Sequence, residues 1–160
     1  MKNKNPSVLK YYMEREFNPV PISIETKTEW EIQRRNRINL LQNHLSIPIN
    51  LLKNKHIIEF GCNSGENALV LADLGAYLTL VEPNKKVIPR LESNFKAMNL
   101  YNQIHELSVE SIDDYRPKNS FDLVIAEGFL NTMPNRDKLL GSLMGMCSNG
   151  GQVIINYDDR

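Results

Sequence analysis

The chain has 160 residues, 41% of them hydrophobic, and its 19 basic and 19 acidic side chains leave a formal net charge of zero. That length suffices for one domain with its own core, and the balanced charge argues against a nucleic-acid or anionic-membrane partner. The polar start, the lack of a long apolar run and the spacing of the two cysteines, Cys62 and Cys147, lead to the expectation of a cytoplasmic protein with reduced thiols, no signal peptide, no membrane span and no metal site.

Residues 1–50 read as an N-terminal lead-in and helix, and residues 51–160 as the main domain. Pro6, Pro19 and Pro21 break regularity in the lead-in, where Tyr11 and Tyr12 could close over a ligand or simply pack. Thr28-Glu29-Trp30-Glu31 has the form of a capping box and predicts a helix start. Trp30, Ile38, Leu41 and Leu45 fall on one face of that helix, and Pro48 ends it. Arg34, Arg35 and Arg37 read as its solvated face, with recognition of an acidic acceptor as the alternative.

From His56 onward strands alternate with helices. Strands are predicted near 56–60, 77–82, 103–107, 121–127 and 152–157. The first intervening helix runs from Asn67 to Leu74 and stops at Gly75. The next follows Pro83-Asn84 and buries Val87, Leu91, Phe95 and Met98. The last spans about Pro134 to Cys147, with Leu139, Leu140, Leu143 and Met144 inward, and Asn149-Gly150-Gly151 turns it into the final strand. Met133, Met144 and Met146 read as core filler. This alternation predicts an α/β fold with a doubly wound, mostly parallel sheet of about five strands. Ligands of such sheets bind beyond the carboxyl ends of the strands. Glu59 to Gly65, Glu82, Ser108 to Glu110 and Glu127 all lie at such ends.

Glu59-Phe60-Gly61-Cys62-Asn63-Ser64-Gly65 is a strand end followed by a glycine turn, and Glu82 comes about 20 residues later, where an acid binds ribose hydroxyls. A dinucleotide is disfavoured, because Asn63 and Glu66 stand where its pyrophosphate would need glycines. No Gly-Lys-Ser/Thr follows, which excludes a phosphate-gripping P-loop. The acids Glu59, Glu66, Glu82, Glu110 and Glu127 favour a cationic ligand. S-adenosylmethionine, a nucleoside bearing a sulfonium and an ammonium and no phosphate, has that charge.

The Glu59–Gly65 segment resembles the first motif of the class I (Rossmann-like) S-adenosylmethionine-dependent methyltransferases. Val81-Glu82-Pro83-Asn84 resembles their second, and Ser108-Val109-Glu110 with Phe121-Asp122-Leu123-Val124 the third and fourth. Asn149-Gly150-Gly151-Gln152-Val153-Ile154 is similar to the loop entering their fifth strand. The resemblance covers about residues 50–160. It implies that backbone at Gly61, Cys62, Asn63 and Gly65 passes the methionine part of the cofactor, and that Glu59 orients the turn and helps hold the ammonium. It implies that Glu82, followed by Pro83, takes the ribose hydroxyls, that Val109 and Glu110 meet the adenine, and that Ala126 and Glu127 lie near the sulfonium. Asn63 departs from the family's frequent glycine, and Ser108 from a frequent acid.

Methyl transfer from a sulfonium needs mainly in-line alignment, with a base only where the acceptor must lose a proton. Candidates for a base are Glu127, His44, Asp158 and Asp159. Asn131 stands where some relatives carry a histidine, and Glu127-Gly128-Phe129-Leu130-Asn131 lacks the Asn-Pro-Pro-aromatic motif of amino-base and glutamine N-methylation. The expected function is methyl transfer to a small-molecule acceptor. The alternatives are a non-catalytic cofactor-binding or scaffolding subunit and, less favoured, an NAD-dependent oxidoreductase. The family normally adds two strands beside the fifth. Their absence here predicts either a longer parent protein or a second copy covering the Val153-Ile154-Ile155 edge.

Overall fold

The computed structural model describes Lys10, Met13, Glu14, residues 23–128, Met133 and residues 135–156. Tyr11, Tyr12, Asn131, Asp158 and Asp159 lie outside the described residues.

The first long helix, α1, spans Lys27–Asn39. Its capping box, Thr26 with Glu29, starts two residues earlier than the expected Thr28. The Thr26 hydroxyl accepts from Glu29 N at 3.2 Å, and Glu29 Oε2 accepts from Thr26 N at 2.9 Å. Two overlapping Thr-x-x-Glu boxes compete here. Thr26 wins because its backbone is extended (φ −105°, ψ 155°), as a cap requires, while Thr28 is already helical. A π-helical turn, Leu40–His44, follows. Its wider winding, with Leu45 N donating to Leu40 O at 3.0 Å, turns Leu45 off the buried face and leaves it 39% exposed, although Leu41 is fully buried.

Five parallel strands form one sheet in the order β3-β2-β1-β4-β5: β1 His56–Phe60, β2 Tyr77–Val81, β3 Ile104–Ser108, β4 Phe121–Ala126 and β5 Cys147–Ile155. Helices α2 (Glu66–Asp73), α3 (Ile88–Ala97) and α4 (Arg136–Met146) follow β1, β2 and β4, whereas β3 leads to β4 through residues 109–120 with no helix, a departure from the expected alternation. Alternate strand residues feed two cores. Ile57, Leu78, Leu80, Leu123 and Ile125 meet Leu69, Leu91 and Phe95 on one face. Ile58, Phe60, Val124 and Ala126 meet Leu139, Leu143 and Met146 on the other. With side chains alternating in this way, Glu59 shares the first face with Ile57, under α1.

Two expectations change. On α4 the inward stripe is Leu139, Leu143 and Met146, and Leu140 is only half-buried. Met144 is 68% exposed, because five residues from Leu139 carry it round to the far side of the helix. The last strand begins at Cys147 rather than 152. Its pairing with β4 jumps from Phe121↔Cys147 to Leu123↔Gln152, so the expected Asn149-Gly150 turn is a bulge inside β5. Gly150 has φ +80°, and a Cβ on Gly151 would lie 3.0 Å from the backbone oxygens of Phe121 and Asp122.

Candidate cofactor site

The strand order reverses between β1 and β4, and the loops leaving these strands open a crevice of about 430 Å³. Its floor is the turn after β1. Three positive φ values, Gly61 (68°), Asn63 (51°) and Gly65 (84°), fold that turn back on itself. Asn63 adopts the left-handed conformation at some cost, which an asparagine bears better than most residues. Gly61 N donates to Val81 O at 2.8 Å, tying the turn to the end of β2. Gly65 caps α2 with no side chain, and a Cβ there would meet Phe95 Cε2 at 3.0 Å and Leu91 Cγ at 3.2 Å. Gly65→Ala is therefore expected to lower stability by about 2–4 kcal/mol, from positive-φ strain plus overpacking. Chemical denaturation checks this, and a loss below about 1 kcal/mol would show that α3 yields to the methyl group.

Acids surround the turn. Glu66 opens α2, where its charge suits the helix N-terminus, and its Oε1 accepts from Ser64 Oγ at 2.7 Å. Glu82 is 6% exposed and braces two loops: Oε2 accepts from Asn63 N and Oε1 from Asn84 N, each at 2.8 Å. Burial raises its pKa, against the pull of these two N–H groups. Glu59 is 5% exposed, and its carboxyl is pushed up to about 7. Burial is the main cause, with Glu127, Glu66 and Glu82 adding to it and Arg37 opposing. Burial also pushes the Cys62 thiol upward.

Helix α1 closes the crevice from above. Gln33, Asn36 and Arg37 line it, joined by Leu40 of the π turn, a stripe at helical spacing. Gln33 Nε2 donates to Asn67 Oδ1 at 2.9 Å, and Arg34 pairs with Asp73 at 2.6 Å, so α1 is tied to α2 at two points. Arg37 is 4% exposed and turns inward, which corrects the reading of all three arginines as a solvated face. Its Nη2 lies 2.7 Å from Glu127 Oε2, but the two groups are misaligned. Among the described residues neither atom has a hydrogen-bond partner, and nor do Arg37 Nε and Glu59 Oε2. On the far wall Asn156 Oδ1 accepts from Gly128 N at 2.6 Å.

Of the predicted site residues, Glu59, Gly61, Cys62, Asn63 and Glu127 come together along the crevice. Gly65 and Glu82 stand behind this lining as its supports. Pro83 follows Glu82 and is half-buried. Val109 (48% exposed) and Glu110 lie past the end of β3 in the open. Ala126 is fully buried in the core of the opposite face, so only its backbone is near the site. His44 is not brought to the crevice. It is exposed on the π turn, with Nε2 3.2 Å from Asn39 Nδ2. Gln33, Asn36, Arg37, Asn67, Gly128 and Asn156 line the site without having been singled out for it by the sequence reading.

Residues 58–155, more than half of the chain, match the family model described as "Methyltransferase domain". The chain belongs to that family. The methyltransferase family uses S-adenosylmethionine, and membership sets aside the nicotinamide alternative. The chain is 26% identical over 95% of its length to the sterol 4-C-methyltransferase strm-1 of Caenorhabditis elegans, covering 44% of it. It is 23% identical over 73% of its length to the ubiquinone biosynthesis O-methyltransferase of Coxiella burnetii, covering 53%. The chain thus spans about half the length of these curated relatives. Among solved structures, coclaurine N-methyltransferase bound to N-methylheliamine and S-adenosylhomocysteine superposes with a TM-score of 0.67 at 15% identity, over 93% of this chain and 48% of that one. The Bradyrhizobium japonicum N-methyltransferase NodS, also with S-adenosylhomocysteine, gives 0.65 at 16% identity, over 93% and 70%. Both share the Rossmann-like α/β fold.

Proposed function

We propose that this methyltransferase domain binds S-adenosylmethionine in the crevice between α1 and the β1–α2 turn and serves methyl transfer to a small-molecule acceptor. The observation that carries the reading is the buried Glu59 Oε2, which has no hydrogen-bond partner among the described residues, at the floor of an acid-lined crevice. A buried carboxylate oxygen in that state is costly unless a ligand donates to it, and the ammonium of an amino-acid end is such a donor. Three carboxylates, Glu59, Glu66 and Glu127, face one guanidinium across the lining, so the site favours a cation. The outer lone pairs of the Glu82 carboxylate are suited to the ribose hydroxyls. Glu127, at the end of β4, is the candidate to face the reacting centre. When bound, the sulfonium supplies the methyl group and a thioether leaving group. The protein's part is then alignment and exclusion of water. No group of three or more His, Cys, Asp or Glu side chains among the described residues is arranged to hold a metal ion.

Isothermal titration with S-adenosylmethionine and S-adenosylhomocysteine tests the reading. Binding of both is expected, and binding of neither would overturn it. The same proposal holds that further strands, from additional chain or a second copy, cover the outer edge of β5, where Ile155 is 38% exposed. Free thiols at Cys62 and Cys147 suit a reducing, cytoplasmic setting, and no helix among the described residues is long and apolar enough to cross a membrane.

A further inference from the structure

We propose that Asn156 is a positioning residue: its side chain pins the peptide that follows Glu127, and through that peptide it holds the Glu127 carboxylate toward the cofactor's sulfonium. This rests on the cofactor reading above, in which Glu127 faces the reacting centre, and it gives a role to a residue beyond the matched family segment, 58–155.

The Glu127 carboxylate is poorly held by its own contacts. Its side chain is 21% exposed, and Arg37 Nη2 approaches Oε2 at 2.7 Å without hydrogen-bond alignment. A misaligned pair fixes direction weakly, so the backbone must aim the side chain. Strand β4 ends at Ala126, whose ladder partner is Ile155, and Glu127 is the first residue past that ladder. The next N–H, that of Gly128, is taken by Asn156 Oδ1 at 2.6 Å, so a side chain adds one more rung between β4 and β5. That N–H shares a planar peptide with the Glu127 carbonyl. With β4 holding the peptide before Glu127 and Asn156 holding the one after, both backbone torsions of Glu127 are set. The direction of its Cα–Cβ bond is set with them. Gly128 completes the device. Its φ is +88°, and a Cβ there would meet nothing within 4 Å, so the backbone turn, and not space, asks for glycine. Asn156 reaches this peptide because the register of β5 shifts between Phe121↔Cys147 and Leu123↔Gln152. Glu127, Gly128 and Asn156 all line the crevice. Asn156 is itself exposed, so its bond adds little to the stability of the fold, and its effect falls on the ligand.

S-adenosylmethionine and S-adenosylhomocysteine differ at the sulfur by one methyl group and one positive charge. A carboxylate aimed at that sulfur favours the charged form. The readout is therefore the dissociation constant of S-adenosylhomocysteine divided by that of S-adenosylmethionine, from titration calorimetry on the full chain. Glu127→Gln is expected to lower this ratio by about fivefold, the upper end for a partly exposed ion pair. Asn156→Ala is expected to lower it by a similar factor and the double variant no further, since both act through one carboxylate. Asn156→Asp keeps an oxygen acceptor for Gly128 N and should hold the ratio at or above wild type. Denaturant unfolding of Asn156→Ala is expected to match wild type. An unchanged ratio in Asn156→Ala, an equal fall in Asn156→Asp, or a marked loss of stability in Asn156→Ala overturns the positioning role. So does an unchanged ratio in Glu127→Gln, with the cofactor reading left standing in each case. Binding of neither ligand by wild type overturns both.

Discussion

Glu82→Ala is expected to lower the stability of the cofactor-free protein by about 2–4 kcal/mol, measured by denaturant unfolding, and to weaken S-adenosylmethionine binding by at least about a hundredfold. Each oxygen of Glu82 holds one backbone N–H, that of Asn63 in the first loop and that of Asn84 in the second. Hydrogen bonds to a charged group contribute about 1.5–3 kcal/mol each, and alanine leaves both N–H groups in a buried place without that acceptor. The desolvation that raises the Glu82 pKa subtracts from the total, which keeps the estimate below the simple sum. The cofactor effect follows from geometry. Asn63 holds φ 51° with Glu82 bonded to its N–H, so a relaxed Asn63 deforms the floor that a cofactor would touch. A carboxylate whose role was confined to the ribose would give a different result, with weaker binding and an unchanged unfolding curve. Glu82→Gln separates the two effects. It retains one acceptor oxygen and should fall between wild type and alanine in stability.

Much of this arrangement was readable from sequence because it depends on local chemistry. Ile57, Ile58 and Phe60 alternate between two cores, and glycines stand at two of the three positive-φ positions of the turn, so strand, turn and helix could be placed within a residue or two. Glu82 was legible as an acid of the right spacing, but its brace to Asn63 was not, since that pairing joins two loops through space. The stripe on α1 and its π turn was hidden for another reason. Gln33, Asn36, Arg37 and Leu40 have the spacing of a buried face, but three of the four are polar, and a polar stripe reads as solvated until the crevice beneath it is known. The helical period at those positions was a usable signal. Asn156 had no such signal, because its place opposite Gly128 depends on the bulge that resets the register of β5. Met144 was misplaced through the exact phase of a short helix, where five residues carry a side chain to the opposite side.

The affinity for S-adenosylmethionine is expected to rise with pH up to about 7 and then level off, by as much as about tenfold per pH unit on the rising limb. Glu59 carries this effect. Its carboxyl is pushed up to about 7 by burial and by Glu127, Glu66 and Glu82, with only Arg37 opposing. An ammonium beside Glu59 favours the charged form and lowers that pKa, so binding releases a proton wherever the free protein still holds it. Titration calorimetry from about pH 5.5 to about pH 7.5, in two buffers of different ionisation enthalpy, measures both the affinity and the proton released. Folding stability should run the opposite way. The unfolded chain loses this proton near 4.5 and the folded protein near 7, so the folded state binds more protons between them and stability falls as pH rises through that window. The drop attributable to Glu59 is about 3 kcal/mol. Glu59→Gln cannot ionise. It should remove that drop, leave the variant more stable than wild type above pH 7, and abolish the pH dependence of cofactor binding while weakening it. An affinity that is flat across the window in wild type would mean that Glu59 is not the group that receives the ammonium.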